Sequence, residues 1–370
     1  MHGVLFVDPS TALGGAEHSL LLLLEHLDRD RFRPHLATQP GELAREARAH
    51  DVAVHEVPLP QLRGQPSAPG RLFRGGAALS RIVRDQGISL LHANTLRAGA
   101  YAGVAAQLAR RPLLWHVRDL GIPRLHARLL VALSDAVVTV SAAVAEALPC
   151  RASVIPNGVC ADDFAGDHCK DARRLRLRWG VPEGAPLVGQ VARLAPWKGQ
   201  RHVLAAAERV HRELPDAWFA LAGGDVFGDA AAYARELRQC VAESSAAAHV
   251  VLPGHQQDVA AALASLDLLV HASRAEPFGR ILIEAAAAGV PVVAFASGGV
   301  PEIVVHEETG LLVPDGDEAA LAAGILRLLR EPALARRLGE RGRLRARERF
   351  DIGPLTRRLE ALMEELIARG

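Results

Sequence analysis

At 370 residues, with 49% hydrophobic side chains and a mean hydropathy of +0.11, the chain has an ordinary globular composition, long enough for a large core and about two domains. Its 43 basic and 42 acidic residues almost cancel, which excludes a global field that would recruit nucleic acid. The longest apolar run near the start, residues 20–24, follows no basic leader and is far shorter than the roughly 20 residues of a spanning helix, so neither a signal peptide nor a transmembrane segment is expected.

Along the chain, short β-branched runs alternate with alanine- and leucine-rich stretches at helical spacing. VLFV (4–7), VAVHEV (52–57), ISLLHA (88–93), LLWHV (113–117) and AVVTV (136–140) predict buried parallel strands, with helices such as 16–27 and 96–110 between them. A second series follows VIPNGV (154–159): LVGQVA (187–192), WFALAG (218–223), HVVLPG (249–254), LDLLVHAS (266–273), VPVVAF (290–295) and GLLVP (310–314). The repetition predicts two doubly wound α/β domains. Residues 162–186 are polar and bounded by glycine and proline, which suits a linker, with the domain boundary near 165. The last 40 residues are helical and arginine-rich, broken at FDIGP (350–354), and most of those arginines belong to a solvated face. Cys150, Cys160, Cys169 and Cys240 form no CxxC pair and have no histidine at zinc spacing, which points to free thiols in a reducing cytoplasm. Lys170 and Lys198 are the only lysines; the alanine and arginine bias suits a GC-rich bacterial gene and makes a retained lysine informative.

Ligands of open parallel sheets sit beyond the carboxyl ends of the strands, so the loops there carry the chemistry. Gly14 and Gly15 follow the first strand and precede a helix, a turn that either lets peptide N–H groups approach a phosphate or is simply tight. Neither GxGxxG nor GxxxxGK[ST] occurs, which argues against nicotinamide oxidoreductases and P-loop phosphotransferases. Arg193 and Lys198 bracket the loop RLAPWKGQ, where two cations can converge on a diphosphate that gains charge as its bond breaks. In AEPFGRILIEAAAAG the spacing predicts a helix from about Phe278 or Gly279 to Ala288, stopped by Gly289. The N–H groups of Phe278, Gly279, Arg280 and Ile281 would then face an anion. Glu276, ahead of that turn, can accept bonds from sugar hydroxyls, and Glu284, inside the helix, from a ribose. Taken singly, Glu276 equally fits favourable helix-dipole placement and Glu284 a solvated position. A phosphate between two hydroxylated rings would engage all three elements, as in a nucleotide diphosphate sugar.

Together these residues resemble the Glu-x7-Glu signature of retaining glycosyltransferases of family 4, which have the GT-B fold. The likeness extends through GGAE (14–17), WHVRD (115–119), VIPNGV, RLAPWKG (193–199), LAGGD (221–225), LPGHQQDV (252–259), SGGVPEIV (297–304) and TGLLVPDGD (309–317). It implies two Rossmann-like domains with parallel sheets facing across a cleft: an acceptor domain at 1–165, a donor domain at 166–350, and a C-terminal helix at 351–370 crossing back to the first. It implies the donor diphosphate for Arg193 and Lys198, sugar and phosphate for Glu276 and the Phe278, Gly279, Arg280 and Ile281 turn, ribose for Glu284, and a donor-sugar contact for His116. Gly14, Gly15 and Gly254 join the donor-binding set, with the base edge meeting backbone near residues 254–257.

The resemblance further implies hexose transfer with retention, no metal and no cofactor beyond a UDP- or GDP-sugar co-substrate. The strings Asp28-Arg29-Asp30 and Asp315-Gly316-Asp317 read as solvated turns rather than metal ligands. The acceptor would be a hydroxyl of a saccharide, a lipid-linked sugar or a small molecule, and nucleic acid is not a partner. A GT-B sugar-nucleotide epimerase and a non-catalytic sugar-nucleotide-binding subunit are the alternatives. In RLFRGGAALSRIVRDQG, Arg71, Arg74, Arg81 and Arg84 share one helical arc and Leu72, Leu79, Ile82 and Val83 the other. That predicts a cytoplasmic enzyme with at most weak, salt-sensitive contact with anionic membrane at its inner face, the apolar arc packing on the domain's own sheet.

Overall fold

The computed structural model describes residues 1–62, 67–166 and 168–370. The chain forms two compact units, residues 1–158 with 352–370, and residues 159–351.

The first unit winds through β1 (His2–Val7), α1 (Gly15–His26), β2 (Phe32–Thr38), α2 (Glu42–Ala49), β3 (Ala53–Glu56), α3 (Ala68–Asp85), β4 (Ile88–Ala93), α4 (Leu96–Ala109), β5 (Leu113–Val117), α5 (Arg124–Leu133), β6 (Ala136–Thr139), α6 (Ala142–Glu146) and β7 (Ser153–Val154). Its seven strands are parallel in the order β3-β2-β1-β4-β5-β6-β7, so the winding reverses between β1 and β4. β2 is absent from the sequence expectation because FRPHLAT carries a proline and charged or polar residues; the proline is tolerated because its position needs no ladder donor. Of the proline-rich segment before α3, residues 63–66 lie outside the described residues. The apolar arc of α3 packs on its own domain, but chiefly on α4 and only secondarily on β4 of the sheet expected to cover it. A Cβ on Gly75 would overlap Tyr101 and one on Gly76 would overlap Val104, so only glycine permits this approach.

The second unit runs through α7 (Ala161–Ala165), α8 (Cys169–Arg178), β8 (Leu187–Val191), α9 (Gln200–Glu213), β9 (Trp218–Ala222), α10 (Ala231–Glu243), β10 (Val250–Val251), α11 (Val259–Ala264), β11 (Leu268–His271), α12 (Arg280–Ala288), β12 (Val292–Phe295), α13 (Val300–Ile303), β13 (Leu311–Val313), α14 (Glu318–Arg330) and α15 (Pro332–Arg349). All six expected strands form, in the order β10-β9-β8-β11-β12-β13, with the reversal between β8 and β11. The last helix, α16 (Ile352–Arg369), belongs to the first unit: Leu355, Leu359, Met363 and Leu366 enter its core beside Leu20 and Leu24.

The linker expectation needs correction. Residues 161–165 and 169–178 are helices of the second unit, Asp167 lies outside the described residues, and the chain passes between units at Gly158–Val159 rather than near 165. The reason is local. Val159 bridges to Asp351 and its N–H donates to the Phe350 carbonyl at 2.8 Å, so both chain passages are pinned at one point. The polar composition of α8 reflects its solvated face; Ala172 and Leu175 supply its buried one.

Candidate functional site

In the second unit, the loops after β8 and β11 flank the reversal of strand order, where a doubly wound sheet opens a crevice. Gln190, a polar residue in an otherwise apolar strand, donates to the Lys198 carbonyl at 2.6 Å, and Gln200 donates to the Arg193 carbonyl at 2.9 Å. The buried Tyr233 hydroxyl donates to Gln200 at 3.1 Å; burial pushes that phenol up to about 12, which keeps it a donor. Both ends of the RLAPWKG loop are thereby fixed. The Arg274 N–H donates to the Trp197 carbonyl at 2.8 Å and ties this loop to the one after β11.

The structure brings Lys198 to Glu276, with Nζ 2.6 Å from Oε2, and His271 Nε2 lies 3.3 Å from the same oxygen. Glu276 is only 5% exposed. Burial by itself would raise its carboxyl, but the Lys198 charge and the His271 contact outweigh that and hold it well below the usual carboxylate range. Glu276 is therefore an anion that accepts hydrogen bonds and cannot serve as a proton donor near neutrality. Its backbone is equally constrained: its carbonyl accepts from Gly299 N–H at 2.8 Å, and Gly298, at φ +58°, passes so close that a Cβ would overlap that oxygen.

Arg193 does not pair with a carboxylate at short range. Its guanidinium lies between the rings of Trp197 (5.5 Å) and Phe227 (5.3 Å), 4.0 Å from Asp229, while Lys198 Nζ stands 4.0 Å from the centroid of the same Trp197 ring. One indole ring thus attracts both cations. The sequence reading named both cations but missed Trp197, Gln190 and His271; a lone tryptophan between them and polar residues inside buried strands were the available signals.

Helix α12 begins at Arg280, one or two residues later than expected, because Gly279 takes the left-handed conformation (φ +96°) as its N-cap. Phe278 is drawn into the core against Phe350, ring centroids 6.0 Å apart, so its side chain serves packing. Arg280 and Ile281 remain in the first turn, and Gly289 terminates the helix at φ +74° as expected. Glu284 is buried at 5% exposure, which removes the solvated alternative, and its Oε1 lies 2.6 Å from Arg280 Nε. Burial raises this carboxyl above its ordinary value despite the opposing arginine charge.

Gly254 adopts a left-handed φ of +76° in the loop after β10, and Gln256 folds back to donate to the carbonyls of Pro253, Gly254 and His255. This loop lines a pocket of about 440 Å³ with Arg178 and Trp179. In the two Asp-x-Asp strings, Asp28 accepts from Asp30 N–H, Asp315 pairs with Arg274 at 3.1 Å, and Asp317 caps α14 through Ala320 N–H. Among the described residues no cluster of three or more metal-ligating side chains occurs.

In the first unit, the ends of β1, β4 and β5 carry a buried polar chain that sequence reasoning did not assemble. Asn94 donates to Asp8 at 2.7 Å and accepts from Arg118 Nε at 2.7 Å; Arg118 also binds Asn157. Asp8 and Glu17 are raised, first by burial, and for Glu17 also by the nearby Asp8 charge. The Gly14 N–H, expected to face a phosphate, donates to Glu17 Oε2 at 2.9 Å, while Gly15 borders open space. His116 is buried on β5, its Nδ1 3.4 Å from His92 Nε2. Burial, then the Arg118 charge, holds it well below its ordinary value, and its Nε2 has no hydrogen-bond partner among the described residues. It is a neutral hydrogen-bonding imidazole.

Two family models match the chain, glycosyltransferase family 4 at residues 13–163 and glycosyl transferases group 1 at residues 171–345. A phosphatidylinositol monomannoside mannosyltransferase of Mycolicibacterium smegmatis, described as GDP-mannose-dependent, is 34% identical over 199 residues, 51% of this chain and 50% of that protein. The chain thus aligns with about half the length of the first curated relatives it matches. A GDP-mannose-dependent alpha-mannosyltransferase of Mycobacterium tuberculosis is 29% identical, with 90% of this chain and 89% of that protein covered. The crystal structure of HepE from Anabaena in complex with UDP-glucose matches with a TM-score of 0.87 at 26% identity, covering 99% of this chain and all of that one. The two parallel-sheet Rossmann-like units have the GT-B fold. On these matches, and on the ordered motifs they run through, the chain belongs to glycosyltransferase family 4.

Proposed function

We propose that the protein is a metal-independent retaining glycosyltransferase of cytoplasmic location that moves a hexose from a UDP- or GDP-sugar to a hydroxyl acceptor. The observation that carries this reading is the Lys198–Glu276 pair, 2.6 Å apart, beside Arg193 and the first turn of α12. Relatives described as GDP-mannose-dependent and a neighbour bound to UDP-glucose support the donor class.

Lys198 keeps one N–H on Glu276 and offers its others, with Arg193 and the N–H groups of Arg280 and Ile281, to the diphosphate. These positive groups stabilise the charge that develops as the bond between the anomeric carbon and phosphate oxygen breaks, its electron pair passing to the diphosphate. Glu276 orients the sugar through its hydroxyls and Glu284 accepts from the ribose. The neutral His116 imidazole suits a hydroxyl contact. The acceptor oxygen bonds the anomeric carbon on the face the diphosphate leaves, and its proton passes to a phosphate oxygen. Following donor turnover or hydrolysis by NMR, with and without EDTA, tests this: the first-formed anomer keeps the donor's configuration at an unchanged rate. An inverted first product, or activity lost on chelation, contradicts it.

A further inference from the structure

Residues 57–134 contain eleven arginines, two aspartates and no glutamate, in a chain whose charges balance as a whole. Seven of these arginines lie on α3, α4 and α5. Helices α3, α4 and α5 pack side by side and carry a single acidic residue, Asp85, whereas α1, α2 and α16 carry seven glutamates. Of the nine large hydrophobic side chains exposed among the described residues, Phe73, Leu108, Leu125 and Leu129 all lie on α3–α5.

The arrangement on α5 is specific. At about 100° per residue, its exposed arc reads Arg124, Arg128, Ala132, Leu125, Leu129 and His126. Leu125 and Leu129, 67% and 56% exposed, occupy the outward centre, with basic side chains on one flank and a histidine on the other. Ala127 and Leu130 hold the opposite side in the core. The apolar arc of α3 is consumed by α4, so α5, not α3, presents leucines to a partner.

We propose that the α3–α5 face, with α5 as its leading element, docks on a lipid bilayer bearing anionic headgroups. A soluble polyanion would need the arginines but would leave two leucines in water. A bilayer takes both, since an interfacial helix sinks its apolar centre among acyl chains while flanking cations meet the headgroups. The charge is of the sign that membrane requires, and no carboxylate on α4 or α5 opposes it.

The test is cosedimentation of the full chain with vesicles of phosphatidylglycerol and phosphatidylcholine, or of phosphatidylcholine alone, at low salt. Binding is expected only to the anionic vesicles. Leu125→Gln with Leu129→Gln lowers it about tenfold at unchanged charge, and Arg124→Gln with Arg128→Gln lowers it about fivefold per arginine. Circular dichroism and donor turnover without vesicles stay unchanged in both, because all four side chains are exposed and none is placed in the site above. No binding to anionic vesicles overturns the proposal. So does wild-type binding by the leucine variant, which would assign the face to a soluble polyanion.

Discussion

Lys198 and Glu276 act as a buried pair, and their variants should behave accordingly. Lys198→Ala is expected to lower turnover by tenfold to a thousandfold, since it removes charge from the leaving diphosphate. It also strands an ionised Glu276, so stability falls by about 3 kcal/mol. Lys198→Met combined with Glu276→Gln restores most of that stability without restoring turnover; urea unfolding alongside an activity assay separates the two effects. Arg193, near the rings of Trp197 and Phe227, has no such buried partner, so Arg193→Ala lowers turnover by a similar factor and leaves the unfolding free energy within about 0.5 kcal/mol. Wild-type turnover in both cation variants would refute the diphosphate assignment. Glu284→Gln is expected to weaken free nucleotide and nucleotide sugar alike, by about 1–3 kcal/mol in calorimetry, because both carry the ribose. Its folded-state value is raised, so the ionised form is disfavoured by the fold, stability is fullest below the ordinary carboxylate value, and it declines as pH rises through the higher one. The variant therefore loses that decline even as it loses affinity.

At the level of elements, the site depends on two loops held at fixed separation by backbone contacts. Gly298 is the most sensitive point: at φ +58° against the Glu276 carbonyl, Gly298→Ala combines left-handed strain with overlap. It should cost roughly 2–4 kcal/mol and cut activity more than Gly15→Ala, which meets open space. Denaturant titration of the two variants checks the order. The strands were legible because an apolar run closed by turn residues has few other interpretations, and the α12 stop was legible from Gly289. The start of α12 was less so, since nothing local says that Gly279 turns left-handed and sends Phe278 into the core. β2 was hidden by Pro34 and its polar neighbours, and α7 and α8 were mistaken for a linker because their solvated faces dominate the composition. The cation pair and both glutamates could be named from spacing and residue type. The Asp8–Asn94–Arg118 chain could not, because it arises from contacts between distant segments; Trp197, Gln190 and His271 act on residues within eight positions of themselves and were marked only by residue type.

For the molecule as a whole, each unit has its own core and its own titrating groups. His92 is held down to about 3, and His116 well below its ordinary value, by burial and then by the Arg118 charge. Both bind protons more readily when unfolded, so the stability they confer is present above about pH 6.5 and drains away below it, by up to about 1.4 kcal/mol per pH unit for each histidine. The first unit, in which His35 and His55 are also lowered, should therefore unfold more easily at pH 5 than at pH 7, and His92→Gln should reduce that slope by up to about 1.4 kcal/mol per pH unit. The central claim is that the Arg193, Lys198, Glu276 and Glu284 constellation holds a nucleotide diphosphate sugar. A thermal-shift panel of UDP-, GDP-, ADP- and dTDP-sugars tests it most directly. A cognate donor at ~100 times its dissociation constant should add about 2.7 kcal/mol, and Glu284→Gln should lose most of that gain. No shift with any donor at millimolar concentration, or a full shift retained in Glu284→Gln and Lys198→Ala, would contradict the account.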